Sequence, residues 1–264
     1  MSDEVEVPID LERARRIAVE AVEAASAIEL AHFRRGVRVE IKADRSPVTI
    51  ADKEAEAAIR ALIARELPDH DFIGEESGIE SRGSSFRWVV DPLDGTKGFT
   101  RGGAFWGPMV ALLYADRVVA GAIALPALQD VYAAALGLGA TKNGRTLQVS
   151  GVKAWGECTL SLGEMKHLFA PPRTPALLDL VSTAASTRCY GDLAGAAMVL
   201  EGRADVWIEA GVQIWDLAPM AILAEEAGGR FTDLEGRPRV DSGGAVLSNG
   251  HLHPHVMAAL GRAE

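Results

Sequence analysis

The spacing of apolar residues in the first quarter of the chain predicts two helices. From about Leu11 to Arg35, alanine, leucine, isoleucine and valine recur at helical spacing between glutamates and arginines, which indicates an amphipathic helix. The stretch SPVTIADKEAEAAIRALIARELPDHDF then predicts a short extended segment and a second helix from about Ala51 to Glu66, which stops at Pro68. Asp52 falls in the first turn of that second helix.

From Phe72 onward the pattern changes to short apolar runs between turn residues. FIGEES and RWVVD predict buried strands, and the region up to Ser150 predicts an antiparallel meander that includes a hairpin turn at Asn143 and Gly144. After about Ser150 strands and helices alternate. The predicted strands are CTLSLGE, ADVWIE and GGAVLSNG, and the predicted helices are TPALLDLVSTAA, DLAGAAMVLEG, IWDLAPMAILAEEAGG and a short C-terminal segment.

These elements predict a layered sandwich of the α+β or α/β class, with a boundary near residue 150. The first half, 1–150, combines N-terminal helices with an antiparallel sheet, and the second half, 151–264, is an α/β unit. The composition, with 48% apolar and 24% charged residues, is that of an ordinary globular protein. We expect the two halves to pack closely.

Charge and cysteine content exclude several function classes. No apolar run reaches the roughly 18 residues that cross a bilayer, and the first residues lack the layout of a signal peptide. Cys158 and Cys189 have no nearby cysteine or histidine partner, so neither a disulfide framework nor a zinc spacing is present. The net charge of -10, without a Lys/Arg cluster, argues against nucleic acid. We therefore expect a cytoplasmic protein with no membrane or nucleic-acid partner.

Candidate chemistry begins with RWVVDPLDGTKGF, where a buried strand ends in two aspartates. Asp91 and Asp94 flank Pro92 and Leu93, an arrangement that ordinary turn chemistry also explains. Other acidic residues stand at comparable places, at the ends of apolar elements: Glu75, Glu76 and Asp216. Gathered in a dry site, such carboxylates need cations.

Clustered carboxylates suit Mg²⁺, which takes oxygen ligands from protein, water and substrate phosphate. A pair of such ions can bind a phosphate group and promote attack by water. Gly95 allows close approach of the backbone, and the amides of Gly95 and Thr96 can meet a phosphate oxygen. The Thr96 hydroxyl is suited to orient the attacking water.

Three segments in this order resemble the signatures of the inositol monophosphatase superfamily of Mg²⁺-dependent phosphatases: GEES at 74–77, DPLDGT at 91–96 and WDLAPMAILAEEAGG at 215–229. The resemblance implies an αβαβα sandwich, often dimeric, with two or three Mg²⁺ ions and a small phosphate monoester as substrate. Most ligands would come from the first half. The implied metal ligands are Glu75, Asp91, Asp94, Asp216 and the carbonyl of Leu93. Asp52, Glu76 and Thr96 would surround them and, together with Glu75, take part in catalysis.

Within this superfamily, DGTKGFTRG, CYGDLAGAAMVLEGRADVWIE and SGGAVLSNGHLH are most similar to the bacterial and plant histidinol-phosphate phosphatases. By this similarity the substrate is histidinol phosphate, whose amine would meet acidic residues, Asp192 and Glu209. Asp192 has an equally ordinary alternative as a helix N-cap. Arg101 is interpreted either as a phosphate contact or as a surface loop residue, and Lys97 as a solvated turn residue.

Two other functions stay open. The protein could hydrolyse an inositol, polyol or nucleotide phosphate, or it could be a catalytically silent relative that serves as a binding or regulatory subunit. The second is disfavoured because every expected acidic position is filled. Lys42 and Asp44 are interpreted as a charged loop, with contact to a third ion as the alternative. His251, His253 and His255 are predicted in surface or capping roles.

Overall fold

Helices and strands alternate in five layers. The structure, a computed structural model, describes residues 7–36, 39–41 and 47–261. In these residues the helices are α1 Leu11–Arg35, α2 Ile50–Glu66, α3 Thr96–Thr100, α4 Met165–Leu168, α5 Thr174–Thr183, α6 Asp192–Leu200, α7 Ile214–Glu226 and α8 His253–Leu260. The strands are β1 Val39–Ile41, β2 Pro47–Thr49, β3 Asp71–Gly74, β4 Gly78–Glu80, β5 Phe86–Asp94, β6 Gly107–Tyr114, β7 Arg117–Leu125, β8 Asp130–Ala135, β9 Ala140–Lys142, β10 Arg145–Thr146, β11 Thr159–Leu162, β12 Ser186–Arg188, β13 Val206–Ala210, β14 Arg230–Thr232 and β15 Gly244–Ser248.

Two sheets form the framework. The larger has eight strands in the order β10-β9-β8-β7-β6-β5-β3-β4, and all its neighbours are antiparallel except β3 and β5. The smaller has five strands in the order β12-β11-β13-β15-β14, with β11 parallel to both of its neighbours. Strands β1 and β2 form a separate antiparallel pair.

Alternating side chains bury both faces of the larger sheet. On β5, Val90 packs with the core under α1 and α2, whereas its neighbour Val89 faces Ala218 of α7. This alternation follows from the two-residue period of a strand. Helix α1 contributes its apolar stripe, including Ile17 and Val22, to the outer core.

The remaining layers follow from the same pairing of apolar faces. Helices α6 and α7 lie between the sheets, because Leu193 and Leu223 share one core with Met109 of β6 and Leu247 of β15. Helices α5 and α8 cover the far face of the smaller sheet. The order is therefore helices, sheet, helices, sheet, helices, and the predicted αβαβα layered sandwich is confirmed.

Several predictions about individual elements can be compared with the structure. Helix α1 spans the predicted 11–35, and Asn143 has φ 49° in the predicted hairpin turn between β9 and β10. The surface or capping role is wrong for His253, which is buried and hydrogen bonded to Thr232 and Ser248. Burial lowers the pKa of His253 to about 4, so this ring is neutral.

The strands of the larger sheet all precede residue 150 and those of the smaller sheet all follow it, but a domain boundary there stays a prediction. Lys42 and Asp44 lie outside the described residues. Across the part of the chain that the structure describes, none of the helices combines the length and apolar character that a bilayer crossing requires.

Candidate active site

A β-bulge at the end of β5 aims two carboxylates at one place. Asp91 pairs with Met109 of β6 and Asp94 with Gly107, so three steps along β5 match two along β6. Residues three apart in a regular strand face opposite sides, and the extra residue corrects this. The Asp91 side chain also accepts a hydrogen bond of 2.8 Å from the Leu93 amide, which holds the turn.

Helix α7 brings a third carboxylate to the bulge. Asp216 lies in the first turn of α7 and accepts a hydrogen bond of 2.6 Å from the amide of Gln213, the N-cap residue. Because Ala218 of the same helix packs against the strands of the larger sheet, that first turn is fixed beside the end of β5. One carboxylate oxygen each from Asp91, Asp94 and Asp216 all lie within 4.8 Å of one another.

The electrostatics of this group show mutual repulsion. Burial, followed by the charges of Glu75 and Asp216, raises the pKa of Asp91 well above its usual range. Burial, followed by Asp192 and Asp216, does the same for the pKa of Asp94. Burial also raises the pKa of Asp216 to about 6.

Glu75 joins this group from the loop after β3. Its amide donates to the carbonyl of Val90 on β5, and its side chain hydrogen bonds with Asp91. The loop is held by Glu56 of α2, whose carboxylate accepts hydrogen bonds of 2.8 Å from the amides of Glu76 and Ser77. Glu56 is not among the residues predicted for the site, although its position four residues after Asp52 in α2 places both on one face of the helix.

Asp52 and Thr96 form a hydrogen-bonded chain beside the carboxylates. The Asp52 carboxylate accepts from the amide and the hydroxyl of Thr49 in a capping box, and its other oxygen is 3.2 Å from the Thr96 hydroxyl. The Thr96 hydroxyl is also 2.9 Å from the Leu93 carbonyl oxygen. Gly95, at φ 77°, permits this turn, because a Cβ there would lie 2.6 Å from the carbonyl oxygen of Phe105.

These groups border one cavity of about 650 Å³ between the two sheets. The predicted site residues that line it are Glu75, Asp91, Leu93, Asp94, Gly95, Thr96, Asp192, Glu209 and Asp216. Asp52 stands behind Thr96, whereas Glu76 faces a different small cavity beside Lys53. Arg101 lies on an exposed turn after α3, outside the lining.

Asp192 and Glu209 lie on the far wall of this cavity. Asp192 has φ 53° and makes no side-chain cap at α6, where Gly191 occupies the N-cap, so the N-cap alternative is wrong. Glu209 of β13 is only 2% exposed, and neither carboxylate oxygen has a hydrogen bond of good geometry, although the amides of Ala210 and Asp192 are near enough to favour its charged form. Burial, followed by Asp192, raises the pKa of Glu209 to about 9.

Gly163 makes room for Glu209. A Cβ on Gly163 would lie 1.4 Å from one Glu209 carboxylate oxygen, a separation that two non-bonded atoms cannot adopt. Lys97 and Glu164 also line the cavity, and their charged groups are 3.7 Å apart. Lys97 is exposed, as predicted, but the predicted turn is wrong, because Lys97 lies in helix α3 and lines the cavity.

A second cavity, of about 710 Å³, lies on the opposite side of α7. It is lined by apolar residues such as Ile222 and by the ion-paired Arg87 and Arg239. Within the described residues, the group of three carboxylates able to hold a metal ion borders the smaller cavity instead. The chemistry therefore belongs to the smaller cavity.

The donor set fits a hard divalent cation. Several carboxylates share a small volume, and their raised pKa values show that ionising all of them there is unfavourable. A divalent cation with oxygen preference removes this repulsion, and the open cavity leaves room for waters and a phosphate group. The arrangement suits transfer of a phosphoryl group to water.

Comparison with known proteins agrees with this chemistry. The sequence model of the inositol monophosphatase family matches residues 10–263. The histidinol-phosphatase of Chlorobaculum parvum is 36% identical over 251 residues, which cover 94% of this chain and 97% of that protein. The inositol-1-monophosphatase of Mesorhizobium japonicum is 34% identical over 86% of this chain and 87% of that protein.

The fold comparison covers the same range. The solved inositol monophosphatase from Anabaena (Nostoc) has a TM-score of 0.84 and 29% identity to this chain, covering 96% of this chain and 97% of that one. The resemblance predicted from the three sequence segments is thus confirmed along nearly the whole chain. The chain belongs to the inositol monophosphatase family and is a phosphatase that hydrolyses phosphoric monoesters.

Proposed function

We propose that this phosphatase is Mg²⁺-dependent and hydrolyses L-histidinol phosphate to L-histidinol and phosphate, a step of histidine biosynthesis. One observation supports the choice of histidinol phosphate. The buried carboxylate of Glu209 has no well-formed hydrogen bond and lies in the same cavity as the carboxylates of the metal site. A buried acid of this kind is suited to a cationic partner that enters with the substrate. The similarity to the Chlorobaculum parvum histidinol-phosphatase supports the same choice.

The metal site of this proposal consists of Glu75, Asp91, Asp94, Asp216 and the carbonyl of Leu93, with two or three Mg²⁺ ions. Bound Mg²⁺ would supply Lewis-acid chemistry, which neutralises phosphate charge and favours attack by water. The carboxylates would hold the ions, and the bulge in β5 turns the Asp91 and Asp94 side chains toward the same place.

Other residues position the reactants. Asp52 orients the Thr96 hydroxyl, which in turn would orient the attacking water, while Glu75 assists from the loop after β3. A catalytic role for Glu76 stays a prediction, and it would require that side chain to turn away from the separate cavity that it lines. The amides of Gly95 and Thr96 would hold a phosphate oxygen. Asp192 and Glu209 would bind the ammonium of the leaving group. A role for Arg101 at the phosphate stays a prediction, and its exposed position would require the turn to move.

A substrate panel tests the proposal. Phosphate release is measured from histidinol phosphate, inositol 1-phosphate and a bisphosphorylated nucleotide, first with Mg²⁺ and then with a chelator. We expect the highest kcat/KM for histidinol phosphate and a loss of activity in chelator that added Mg²⁺ restores. Unchanged activity in chelator would contradict the metal dependence, and a preference for another substrate would contradict the choice of histidinol phosphate.

The second candidate is an inositol 1-phosphate or related polyol phosphatase. The similarity to the Mesorhizobium japonicum enzyme and to the Anabaena structure favours it. Two results would distinguish it. The parent enzyme would prefer inositol 1-phosphate, and Glu209→Gln would leave kcat/KM for this substrate undiminished, because a neutral polyol does not require a charged carboxylate partner. A homodimer and a cytoplasmic location complete the proposal, and light scattering of the purified protein tests the dimer.

A further inference from the structure

An ion pair crosses the mouth of the candidate active site. The Lys97 ammonium, on α3 beside the larger sheet, lies 3.7 Å from the Glu164 carboxylate, on the loop after β11 of the smaller sheet. Both residues line the cavity that holds Asp192 and Glu209. The proposed function above gives neither of them a role.

The charges at this end of the cavity are unequal. Glu164, Asp192 and Glu209 contribute three carboxylates, whereas Lys97 is the one Lys, Arg or His among the described residues that line the cavity. The groups influence one another: Glu164 acts to raise the pKa of both Asp192 and Glu209, and Lys97 acts to lower that of Asp192, while burial is the largest cause for each. This end of the cavity therefore favours an additional positive charge.

The Glu209 carboxylate is a second and independent sign of a ligand. It is 2% exposed, lacks a hydrogen bond of good geometry and has its space preserved by the missing side chain of Gly163. Such a group is costly to bury unless a ligand pairs with it. Glu164 lies next to Gly163 along the chain, so it stands at the outer end of the route to Glu209.

The Lys97–Glu164 pair is easy to separate. The Lys97 side chain is 73% exposed and that of Glu164 is 41% exposed, and a solvent-exposed ion pair contributes little net free energy. An incoming ammonium can therefore replace Lys97 at the Glu164 carboxylate at small cost.

We propose that Glu164 is a third specificity residue for the cationic leaving group, and that Lys97 is a tethered cation which the substrate ammonium displaces from it. This inference rests on the proposed function, in which Asp192 and Glu209 already bind the ammonium. It adds a rim contact that selects amine-bearing phosphate monoesters before they reach the buried carboxylate.

The test compares Glu164→Gln and Lys97→Gln with the parent enzyme. For each protein, kcat/KM is measured at low salt for histidinol phosphate and for inositol 1-phosphate, and the ratio of the two values is the readout. We expect the ratio to fall about threefold in Glu164→Gln and to rise about twofold in Lys97→Gln, the size of an exposed ion pair. High salt should reduce both changes, because salt screens exposed charges.

Two matched variants control for net charge. Lys166→Gln removes an exposed lysine of α4, and Glu157→Gln removes an exposed glutamate, both outside the cavity lining. Inhibition by L-histidinol provides a readout independent of turnover, since its inhibition constant should rise about threefold in Glu164→Gln only. Equal effects on both substrates, or the same ratio in the controls, would overturn the inference.

The design separates this inference from the proposed function. If the parent enzyme does not prefer histidinol phosphate, the proposed function fails, and the ratio is then measured for phosphoethanolamine against glycerol 2-phosphate. A selective loss of phosphoethanolamine hydrolysis in Glu164→Gln would still support a cation-selecting rim. An unchanged ratio for this second pair would overturn the inference as well.

Discussion

Replacing Asp216 by asparagine removes one charge from the crowded carboxylates while keeping the shape of the side chain. The asparagine carbonyl oxygen can still accept the hydrogen bond from the Gln213 amide that begins α7. The variant thus separates the repulsion between Asp216 and its neighbours from the capping of the helix. Burial raises the pKa of Asp216 from 3.8 to about 6, which gives the size of the effect.

The direction in which Asp216 changes stability with pH follows from that raised pKa. The folded protein binds this proton more tightly than the unfolded chain, so the contribution to stability is fully present below pH 3.8 and is lost as pH rises through about 6. A tenfold change in proton affinity corresponds to about 1.4 kcal/mol, so an ionised Asp216 destabilises the folded protein by about 3 kcal/mol at high pH. Asp216 is partly exposed at the cavity wall, and solvent screening reduces this to about 2 kcal/mol.

Thermal unfolding in chelator, at about pH 8 and about pH 4, measures this effect. At the higher pH we expect Asp216→Asn to unfold about 5 °C above the parent protein, and at the lower pH the difference should disappear. In excess Mg²⁺ the order should reverse, because the parent binds the ion and the variant binds it poorly. Asp69→Asn, at an exposed position, is the control. A variant less stable than the parent at both pH values in chelator would refute the reasoning.

Three further changes give distinct expected results. Asp94→Asn should lower turnover by orders of magnitude with an unchanged far-UV circular dichroism spectrum, and near-normal turnover would remove Asp94 from the metal site. Burial, followed by the charge of Asp52, raises the pKa of the fully buried Glu29, so the stabilising contribution of this group is lost as pH rises above 4.5. Glu29→Gln should therefore raise Tm at about pH 8 and leave it unchanged near pH 4.5. An equal shift in Tm at both pH values would contradict this. Gly163→Ala should force Glu209 aside, costing about 2 kcal/mol in chemical denaturation and lowering selectivity for histidinol phosphate, whereas parental stability would show that the loop adapts.

Much of the fold was predictable because its elements have strong periodicity. Helix α1 and the meander around Asn143 follow from apolar spacing and turn residues that depend on local sequence alone. The five-residue helix α3, with Gly98 in its middle, is too short to produce a period. The buried position of His253 depends on the hydroxyls of Thr232 on β14 and Ser248 at the end of β15, and the way these two strands pack under α8 is not visible in a local pattern.

The site was predictable as a set of residue types, but its geometry was not. Acidic residues at the ends of apolar elements identified Asp91, Asp94 and Asp216, which the structure brings together. The bulge that aligns the first two depends on the register between β5 and β6, and register is a property of the paired strands. Glu164 escaped notice because an exposed glutamate in a loop has no distinguishing pattern until Lys97 is placed opposite it.

The candidate active site is assembled from both halves of the chain. The Asp94 carboxylate, at the end of the larger sheet, accepts from the Leu193 amide of α6, 99 residues further along the chain. Asp216 likewise reaches the site from a helix wedged between the two sheets. Two separately expressed fragments divided near residue 150 should each be inert, so fusing them to a pair of interacting proteins would turn released phosphate into a signal of that interaction.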